Sequence, residues 1–205
     1  MTLSLALFAK APVLGATKTR LQPALGESGA LDAHCRLVEH ALGQITLVNA
    51  MRSELWISAE HPFAQSWSAR FALPWRLQEG ADLGLRMDHA LQDQLSRGAS
   101  FAFVMGCDCP SIDAGYLNWV AGHCGAADVI IAPAEDGGYG LIGLARPQPE
   151  LFSDMPWGTD QVYGETLRRG QMLGLRIVIG ASIWDVDRPE DWMRFEVLRA
   201  GKNQL

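Results

Sequence analysis

The stretch FAFVMGCDCPSI, residues 101–112, is an apolar run that ends in two cysteines around one aspartate. The run FAFVMG is short and apolar throughout, which predicts a strand buried on both faces. Pro110 follows the cysteines, and Asp113 is the predicted N-cap of a helix over 113–123. A buried strand that opens into a polar loop before a helix is the repeating unit of an α/β fold.

Strands and helices alternate in the same way along the rest of the chain. The predicted strands lie at 3–9, 54–59, 101–106, 128–133, 137–145 and 175–179, and the predicted helices at 29–49, 83–97, 113–123, 160–173 and from about 189. No linker or low-complexity tract divides them. We therefore predict one α/β domain over residues 1–205 with a largely parallel sheet.

Composition narrows the class of protein and its partners. The 205 residues are 48% hydrophobic and 20% charged, as in ordinary globular domains, and the net charge of −6 argues against nucleic-acid binding. No apolar run approaches the roughly 18 residues of a membrane span. The first apolar run has no basic segment before it, so it is typical of a strand rather than a signal peptide. We expect a cytoplasmic protein with no membrane insertion and with reduced cysteines.

The loop after the first strand, AKAPVLGATKTRLQP, is the first candidate for a ligand site. In open parallel sheets, ligands bind beyond the carboxyl ends of the strands. This loop holds Lys10, Gly15, Lys18 and Arg20, and it joins a glycine that lets backbone approach a ligand to cations that bind phosphate oxygens. Its spacing matches neither the Walker A loop nor the dinucleotide fingerprint. The alternative is a solvated surface loop.

The cysteines offer a rival chemistry. Six soft or imidazole ligands could form a zinc site: His34, Cys35, Cys107, Cys109, His123 and Cys124. Cys-x-Cys is not the usual zinc-knuckle spacing, and both His-Cys pairs fall in predicted helices, where adjacent side chains diverge by about 100°. Packing as small hydrophobic residues is the simpler interpretation of the thiols.

Carboxylates follow three of the later predicted strands. Asp108 comes directly after residues 101–106 and is suited to Mg²⁺ or Mn²⁺, which prefer carboxylate oxygen. The segment PAEDGGYG exposes Glu135 or Asp136, and WDVDRPED offers Asp185 and Asp187. The alternatives are a turn, a hairpin and a helix cap, respectively. Together with the basic loop, these acids indicate a metal-assisted reaction on a nucleotide diphosphate or triphosphate.

Six ordered motifs resemble one bacterial family. They are AKAPVLGATKTRL, QEGADLGLRMDHAL, GCDCPSI, APAEDGGYGLIGL, MPWGTDQV and WDVDRPEDW, and they span residues 8 to about 192. The chain resembles the radical-SAM/selenodomain-associated transferase 1 family, which includes arsenosugar-biosynthesis-type glycosyltransferases. The resemblance implies the nucleotide-diphospho-sugar transferase fold of GT-A type, a three-layer α/β/α domain with a mostly parallel mixed sheet. It also implies kinship with the phospholactate and molybdenum-cofactor guanylyltransferases.

The same resemblance assigns roles to particular residues. Lys10, Lys18 and Arg20 would bind the phosphates, and the segment with Gly80, Asp82, Gly84 and Arg86 would line the base and ribose pocket. Asp108 would be the metal-binding aspartate, with Asp187 as the second one and Asp185 as its alternate. Asp136 would face the sugar or the acceptor. The chain departs from the family pattern at Gly158, where serine is more typical.

Three functions remain open at this point. The first is glycosyl transfer from a nucleotide-diphospho-sugar to a small acceptor with Mg²⁺ or Mn²⁺, in which Asp136 orients the acceptor hydroxyl or acts as its base. The second is nucleotidyl transfer, which releases pyrophosphate from a nucleoside triphosphate. The third is a non-catalytic nucleotide or metal sensor. The base, the sugar, the acceptor and the oligomeric state are not encoded in these motifs.

Overall fold

The computed structural model describes residues 1–202 and contains a seven-stranded mixed sheet. The strands are β1 (Leu3–Ala9), β2 (Met51–Ile57), β3 (Trp75–Leu77), β4 (Phe101–Gly106), β5 (Val129–Pro133), β6 (Tyr139–Leu144) and β7 (Ile177–Ile179). Their order across the sheet is β3-β2-β1-β4-β6-β5-β7. Only β6 runs antiparallel to its neighbours among these strands. The expected mostly parallel mixed sheet is confirmed.

Helices cover both faces of this sheet. They are α1 (Gln22–Thr46), α2 (Pro62–Phe71), α3 (Leu83–Ser96), α4 (Ala114–His123), α5 (Val162–Met172) and α6 (Pro189–Lys202). Leu5 and Leu7 of β1 belong to the apolar cluster with α1, α2 and α4, whereas Ala6 and Phe8 belong to the cluster with α3. Alternate side chains of a strand point to opposite faces, so the buried β1 joins the two outer layers. The three-layer α/β/α architecture is confirmed.

Most predicted elements are present, with shifted bounds. The strands predicted at 3–9 and 101–106 match β1 and β4, and Asp113 caps α4 by accepting a hydrogen bond from the Tyr116 backbone N–H at 2.9 Å. The helix predicted from residue 29 instead begins at Gln22, with a break at Gly26, whose φ is 69°. None of the helices within residues 1–202 has both the length and the apolar content needed to cross a bilayer.

The element pair α2 and β3 was not predicted. His61 accepts a hydrogen bond from Phe63 N–H and Pro62 opens α2, which are local signals for a helix start. β3 has three residues and pairs only with β2, at the edge of the sheet. An edge strand this short has no apolar run long enough to be recognised.

The packing of Gly143 in β6 gives a test of the fold. A Cβ at this position would overlap the Phe103 ring and lie 2.9 Å from Phe101 Cε1. We expect Gly143→Ala to lower the free energy of unfolding by about 1–3 kcal/mol in urea titrations, because the two rings are held in a close-packed core. Gly122→Ala, in an exposed helical position with no atom within 4 Å, is the control and should be neutral or slightly stabilising. Equal effects of the two substitutions would contradict this packing.

Candidate active site

A cleft of about 840 Å³ opens where β1 and β4 end and β6 begins. It has the size of an ordinary small-molecule site. The charged residues that line it are Lys10, Lys18, Arg20, Arg86, Asp108, Asp136, Asp160, Asp185 and Asp187. The fold therefore brings together, from six separate segments of the chain, nearly all the charged residues expected from the sequence.

An ion pair between Lys18 and Asp108 lies in this cleft. Lys18 Nζ donates a hydrogen bond to Asp108 Oδ2 at 2.8 Å, and the side chains are 11% and 37% exposed, respectively. Burial alone would lower the pKa of Lys18, but the attraction and hydrogen bond of Asp108 outweigh it and raise that pKa. Burial likewise opposes ionisation of Asp108, but Lys18 holds the pKa of that carboxyl below its usual value. Both groups therefore stay charged in the folded protein.

The loop that carries Lys18 has an unusual backbone. Lys18 has φ 46° and ψ 46°, in the left-handed region that non-glycine residues rarely adopt. Gly15 has φ +76°, and its carbonyl accepts a hydrogen bond from Gln22 Nε2 at 3.1 Å. The buried Thr17 hydroxyl, beside Lys18, has no hydrogen-bond partner within residues 1–202. Strained backbone and unsatisfied polar groups are concentrated at functional sites.

His34 supports the other end of this loop. Its Nε2 lies 3.0 Å from the Lys10 carbonyl, and burial lowers the pKa of the imidazole. The neutral ring donates its Nε2–H to that carbonyl and so fixes the point where β1 ends. From the sequence, His34 was considered only as a possible zinc ligand, and this structural role was not predicted.

Asp185 is the second carboxylate beside Asp108. The Val186 backbone N–H donates to the Asp108 carbonyl at 2.9 Å, which ties the two segments together. Burial and the negative charges of Asp108 and Asp136 raise the pKa of Asp185 to about 6. Asp187, the first choice from the resemblance, instead pairs with Arg20. The residue kept as an alternate is therefore the one whose charge interacts with Asp108.

The helix-cap alternative for Asp187 is wrong. Asp191 Oδ2 accepts hydrogen bonds from the backbone N–H groups of Asp187 and Arg188, at 3.1 and 2.7 Å. Asp191, in the first turn of α6, thus reaches back to the backbone N–H groups of the two residues that precede the helix. The Asp187 side chain is left to orient Arg20 at the rim of the cleft.

Asp136 lies in the turn between β5 and β6. Its Oδ1 accepts a hydrogen bond from the Gly138 N–H at 2.9 Å. Gly137 has φ +88°, and a Cβ there would overlap the backbone of Asp160. Asp136 can therefore both belong to a hairpin turn and face a ligand, because the turn packs against the 157–160 loop and the two segments line the cleft.

The segment before α3 shapes the cleft mainly through its backbone. Asp82 is the N-cap of α3 and accepts from Leu85 N–H at 2.8 Å, and the Gly80 carbonyl accepts from Arg86 Nε at 3.0 Å. A Cβ at Gly84 would lie 2.7 Å from Trp157 Cζ2. Of the residues predicted for the base pocket, Arg86 lines the cleft. Gly80, Asp82 and Gly84 do not line it but hold the adjoining chain in position. Gly15 has the same supporting role in the first loop.

The zinc alternative fails on geometry within residues 1–202. Burial raises the pKa values of all four thiols, to about 11 for Cys35 and Cys124 and to about 12 for Cys107. His34 and His123 face the backbone carbonyls of Lys10 and Trp119 rather than the thiols. Protonated, separated thiols are poor zinc ligands. Cys109 packs against Gly140, where a Cβ would meet its sulfur.

The carboxylates fit a Mg²⁺ or Mn²⁺ ion that arrives with its substrate. In the described part of the chain, no group of three or more His, Cys, Asp or Glu residues is arranged to hold a metal alone. Burial, together with the negative charges of Asp108 and Asp136, raises the pKa of Asp185 to about 6. A cation beside Asp108 and Asp185 would favour the ionised form of both carboxyl groups. Mg²⁺ is commonly bound by one or two carboxylates plus substrate phosphates. This donor set matches that description.

Asp160 and Gln78 line the cleft but were not singled out from the sequence. Asp160 belongs to the motif MPWGTDQV, in which Gly158 is the departure from the family pattern. Gly158 has φ +80°, which explains glycine where serine is more typical. Gln78 donates through Nε2 to the carbonyls of Ala9 and Trp56, at 3.1 and 2.9 Å, and so joins the ends of β1 and β2.

Comparison with known proteins defines the class and then the family. The fold is that of the nucleotide-diphospho-sugar transferases. Residues 41–159 match the family described as "Uncharacterized protein conserved in bacteria (DUF2064)", and the chain belongs to this family. No curated protein sequence matches the chain.

Three solved structures illustrate the structural likeness. A protein from Desulfovibrio desulfuricans G20, provisionally assigned as a nucleotide-diphospho-sugar transferase, is 28% identical with a TM-score of 0.77, over 92% of this chain and 84% of that one. CMP:2-keto-3-deoxy-manno-octonic acid synthetase complexed with CTP is 14% identical with a TM-score of 0.61, over 98% and 100%. Glucosyl-3-phosphoglycerate synthase from Mycobacterium tuberculosis, in complex with Mg²⁺ and UDP, is 12% identical with a TM-score of 0.55, over 94% and 74%. The last two likenesses concern the fold alone.

The pKa of Asp185 makes stability depend on pH. Its folded value of about 6 exceeds the ordinary 3.8, so between these values the folded state binds more protons and stability falls as pH rises. We expect Asp185→Asn to match the parent protein below pH 4 and to exceed its unfolding free energy by about 1–3 kcal/mol above pH 7 without metal.

Urea unfolding across pH measures this difference, with the exposed Asp154→Asn as the control variant. A stability difference that does not change with pH would contradict the proposed crowding of carboxylates.

Proposed function

We propose that this protein is a divalent-metal-dependent glycosyltransferase that uses a nucleotide-diphospho-sugar donor. The observation that carries the proposal is the Lys18–Asp108 pair with Asp185 beside it, at the strand ends where such folds bind ligands. It combines fixed positive charge for a diphosphate with carboxylates for a cation. The resemblance to the radical-SAM/selenodomain-associated transferase 1 family and the shared fold support the same function.

The basic loop would bind the diphosphate of the donor. Lys10, Lys18 and Arg20 line one side of the cleft, and Asp187 holds Arg20 in place. Negative charge grows on the diphosphate as the glycosidic bond breaks, so prepositioned cations stabilise the transition state more than the bound donor. Arg86 and Gln78 line the adjoining part of the cleft, where the nucleoside would lie.

Asp108 and Asp185 would hold Mg²⁺ or Mn²⁺, which when bound neutralises charge on the leaving diphosphate. In the free protein, the Lys18 ammonium occupies the position next to Asp108 that a cation needs. Incoming phosphates would draw Lys18 toward themselves and free an oxygen of Asp108. Metal and nucleotide should therefore bind cooperatively. Asp136 would orient the acceptor hydroxyl, and would act as its base in an inverting reaction.

Nucleotidyl transfer is the second candidate, favoured by the presence of three cations in one loop, which suits a triphosphate. Incubation with Mn²⁺ and either nucleotide-diphospho-sugars or nucleoside triphosphates of each base, followed by mass spectrometry, separates the two. Glycosyl transfer predicts a nucleoside diphosphate from one nucleotide-sugar. Pyrophosphate from a triphosphate would favour the rival. Binding with neither product would favour the sensor.

Loss of the Asp108 charge tests the metal role. We expect Asp108→Asn to reduce metal-dependent turnover at least about 100-fold, because the leaving group loses its charge stabilisation. It should also abolish the Mn²⁺-dependent rise in melting temperature with nucleotide. Asp32→Asn, an exposed α1 residue, is the matched control. Full metal-dependent turnover by Asp108→Asn would overturn this assignment.

Removal of the Lys18 charge tests the competition at Asp108. We expect Lys18→Met to bind Mn²⁺ without nucleotide about tenfold more tightly than the parent protein, since the ammonium no longer occupies the site. Nucleoside diphosphates should bind about 10- to 100-fold more weakly. Isothermal titration measures both, with Arg70→Met of α2 as the control. Weaker Mn²⁺ binding by Lys18→Met would contradict the competition.

A further inference from the structure

The lining carboxylates of the cleft fall into two groups. Asp108 and Asp187 are paired with the cations Lys18 and Arg20, respectively, and Asp185 lies beside Asp108. All four lining cations, Lys10, Lys18, Arg20 and Arg86, come from the loop after β1 and from α3. A further part of the lining, which we call the acidic half, is formed by residues from 134–142 and 157–162. Its charged lining residues within the described chain are Asp136 and Asp160. A ligand that reaches from the paired charges into the acidic half therefore meets two carboxylates that have no cation partner in the described chain.

Within residues 1–202, no lysine or arginine pairs with the Asp136 or Asp160 carboxylate. The Asp160 carboxylate has neither a hydrogen bond nor an ion pair within residues 1–202, and Asp136 bonds only the Gly138 N–H through Oδ1. Arg194 of α6 is the cation that contacts the 134–142 segment, but its Nη1 donates to Glu135 Oε2 at 3.1 Å and its guanidinium carbon lies 4.2 Å from the centroid of the Trp184 ring. It is therefore paired with Glu135 rather than with Asp136 or Asp160. The two carboxylates are thus free to accept hydrogen bonds from a ligand.

Two aromatic rings, those of Tyr139 and Trp157, also line the acidic half. Tyr139 and Trp157 meet edge to face, with centroids 6.4 Å apart and planes at 82°. Trp157 also covers Gly84 at the start of α3. Aromatic faces offer apolar surface to a ligand, and carboxylates accept bonds from hydroxyl groups. A carbohydrate or similar polyol has hydroxyl groups, which can donate to these carboxylates, and apolar C–H faces, which can pack against these rings.

We propose that the acceptor is an uncharged polyhydroxyl compound, and that the acidic half selects it against phosphorylated or carboxylated compounds. The inference rests on the proposed function and names the substrate class of the same site. In the step, an acceptor hydroxyl oxygen bonds to the anomeric carbon of the donor. The bond from that carbon to the diphosphate oxygen breaks, the diphosphate leaves with the electron pair, and the hydroxyl proton passes to Asp136.

An anionic acceptor is disfavoured by simple electrostatics. A phosphate in the acidic half adds negative charge next to two unpaired carboxylates, and like charges at such separations repel appreciably even in a partly solvated cleft. This distinguishes the site from one that receives a phosphate-bearing acceptor, which is the acceptor chemistry of the nucleotidyl-transfer alternative. Each carboxylate that is neutralised should weaken the discrimination.

The experiment has two arms. In the first, nucleoside diphosphates of each base are tested with Mn²⁺ by thermal shift, and a shift with none of them would overturn the proposed function and this inference with it. In the second, the protein loaded with Mn²⁺ and the diphosphate that binds is titrated with matched pairs. These are glycerol and glycerol 3-phosphate, glucose and glucose 6-phosphate, and myo-inositol and its 1-phosphate.

We expect neutral members to bind at millimolar concentration and their phosphorylated partners about tenfold more weakly or worse. Asp160→Asn should narrow that ratio several-fold without changing diphosphate binding, while Asp154→Asn, on the same connection outside the cleft, should leave it unchanged. Tighter binding of the phosphorylated members overturns the inference, as does binding of no neutral member to protein that holds the diphosphate. An unchanged ratio in Asp160→Asn would contradict the assigned role of that residue.

Discussion

The architecture of the site depends on one ion pair, between Lys18 and Asp108. Lys18 is largely buried and its backbone lies in the left-handed region, so the loop after β1 is held in a conformation that costs free energy on its own. The pair offsets this by joining that loop to the end of β4. The Asp108 carbonyl in turn binds Val186 N–H, which brings the last segment before α6 to the same place. Three distant segments thus meet at one residue, Asp108, through its carboxylate and its backbone carbonyl.

The carboxylates gathered in the cleft lower the stability of the free protein, although they would favour binding of a cation. Burial and the nearby charges of Asp108 and Asp136 raise the pKa of Asp185 to about 6, so ionisation of Asp185 in the free protein costs free energy. Lys18 neutralises only part of that charge. A cation that arrives with a diphosphate would relieve the rest, and such destabilised polar clusters are commonly the sites where binding energy is gained.

The sequence anticipated the sheet well because buried strands are continuous apolar runs, as in β1 and β4, and it anticipated Asp108 because that residue follows such a run. It missed β3, which is a three-residue edge strand. It gave Asp187 first and Asp185 as the alternate, and it could not show that Asp187 pairs with Arg20, which is 167 residues away in the sequence. Trp157 and Asp160 reach the cleft through tertiary packing against Gly84 and Gly137, which no local pattern records.

The most direct test of the central claim is the coupling between metal and nucleotide in the unaltered protein. Mn²⁺ binding would be titrated by electron paramagnetic resonance with and without a saturating nucleoside diphosphate. We expect weak Mn²⁺ binding in the absence of nucleotide, because Lys18 occupies Asp108. With the diphosphate, Mn²⁺ should bind at least about tenfold more tightly, a coupling of roughly 1.4 kcal/mol or more. Equal Mn²⁺ affinity with and without the diphosphate would contradict a site in which phosphates release Asp108 for the metal.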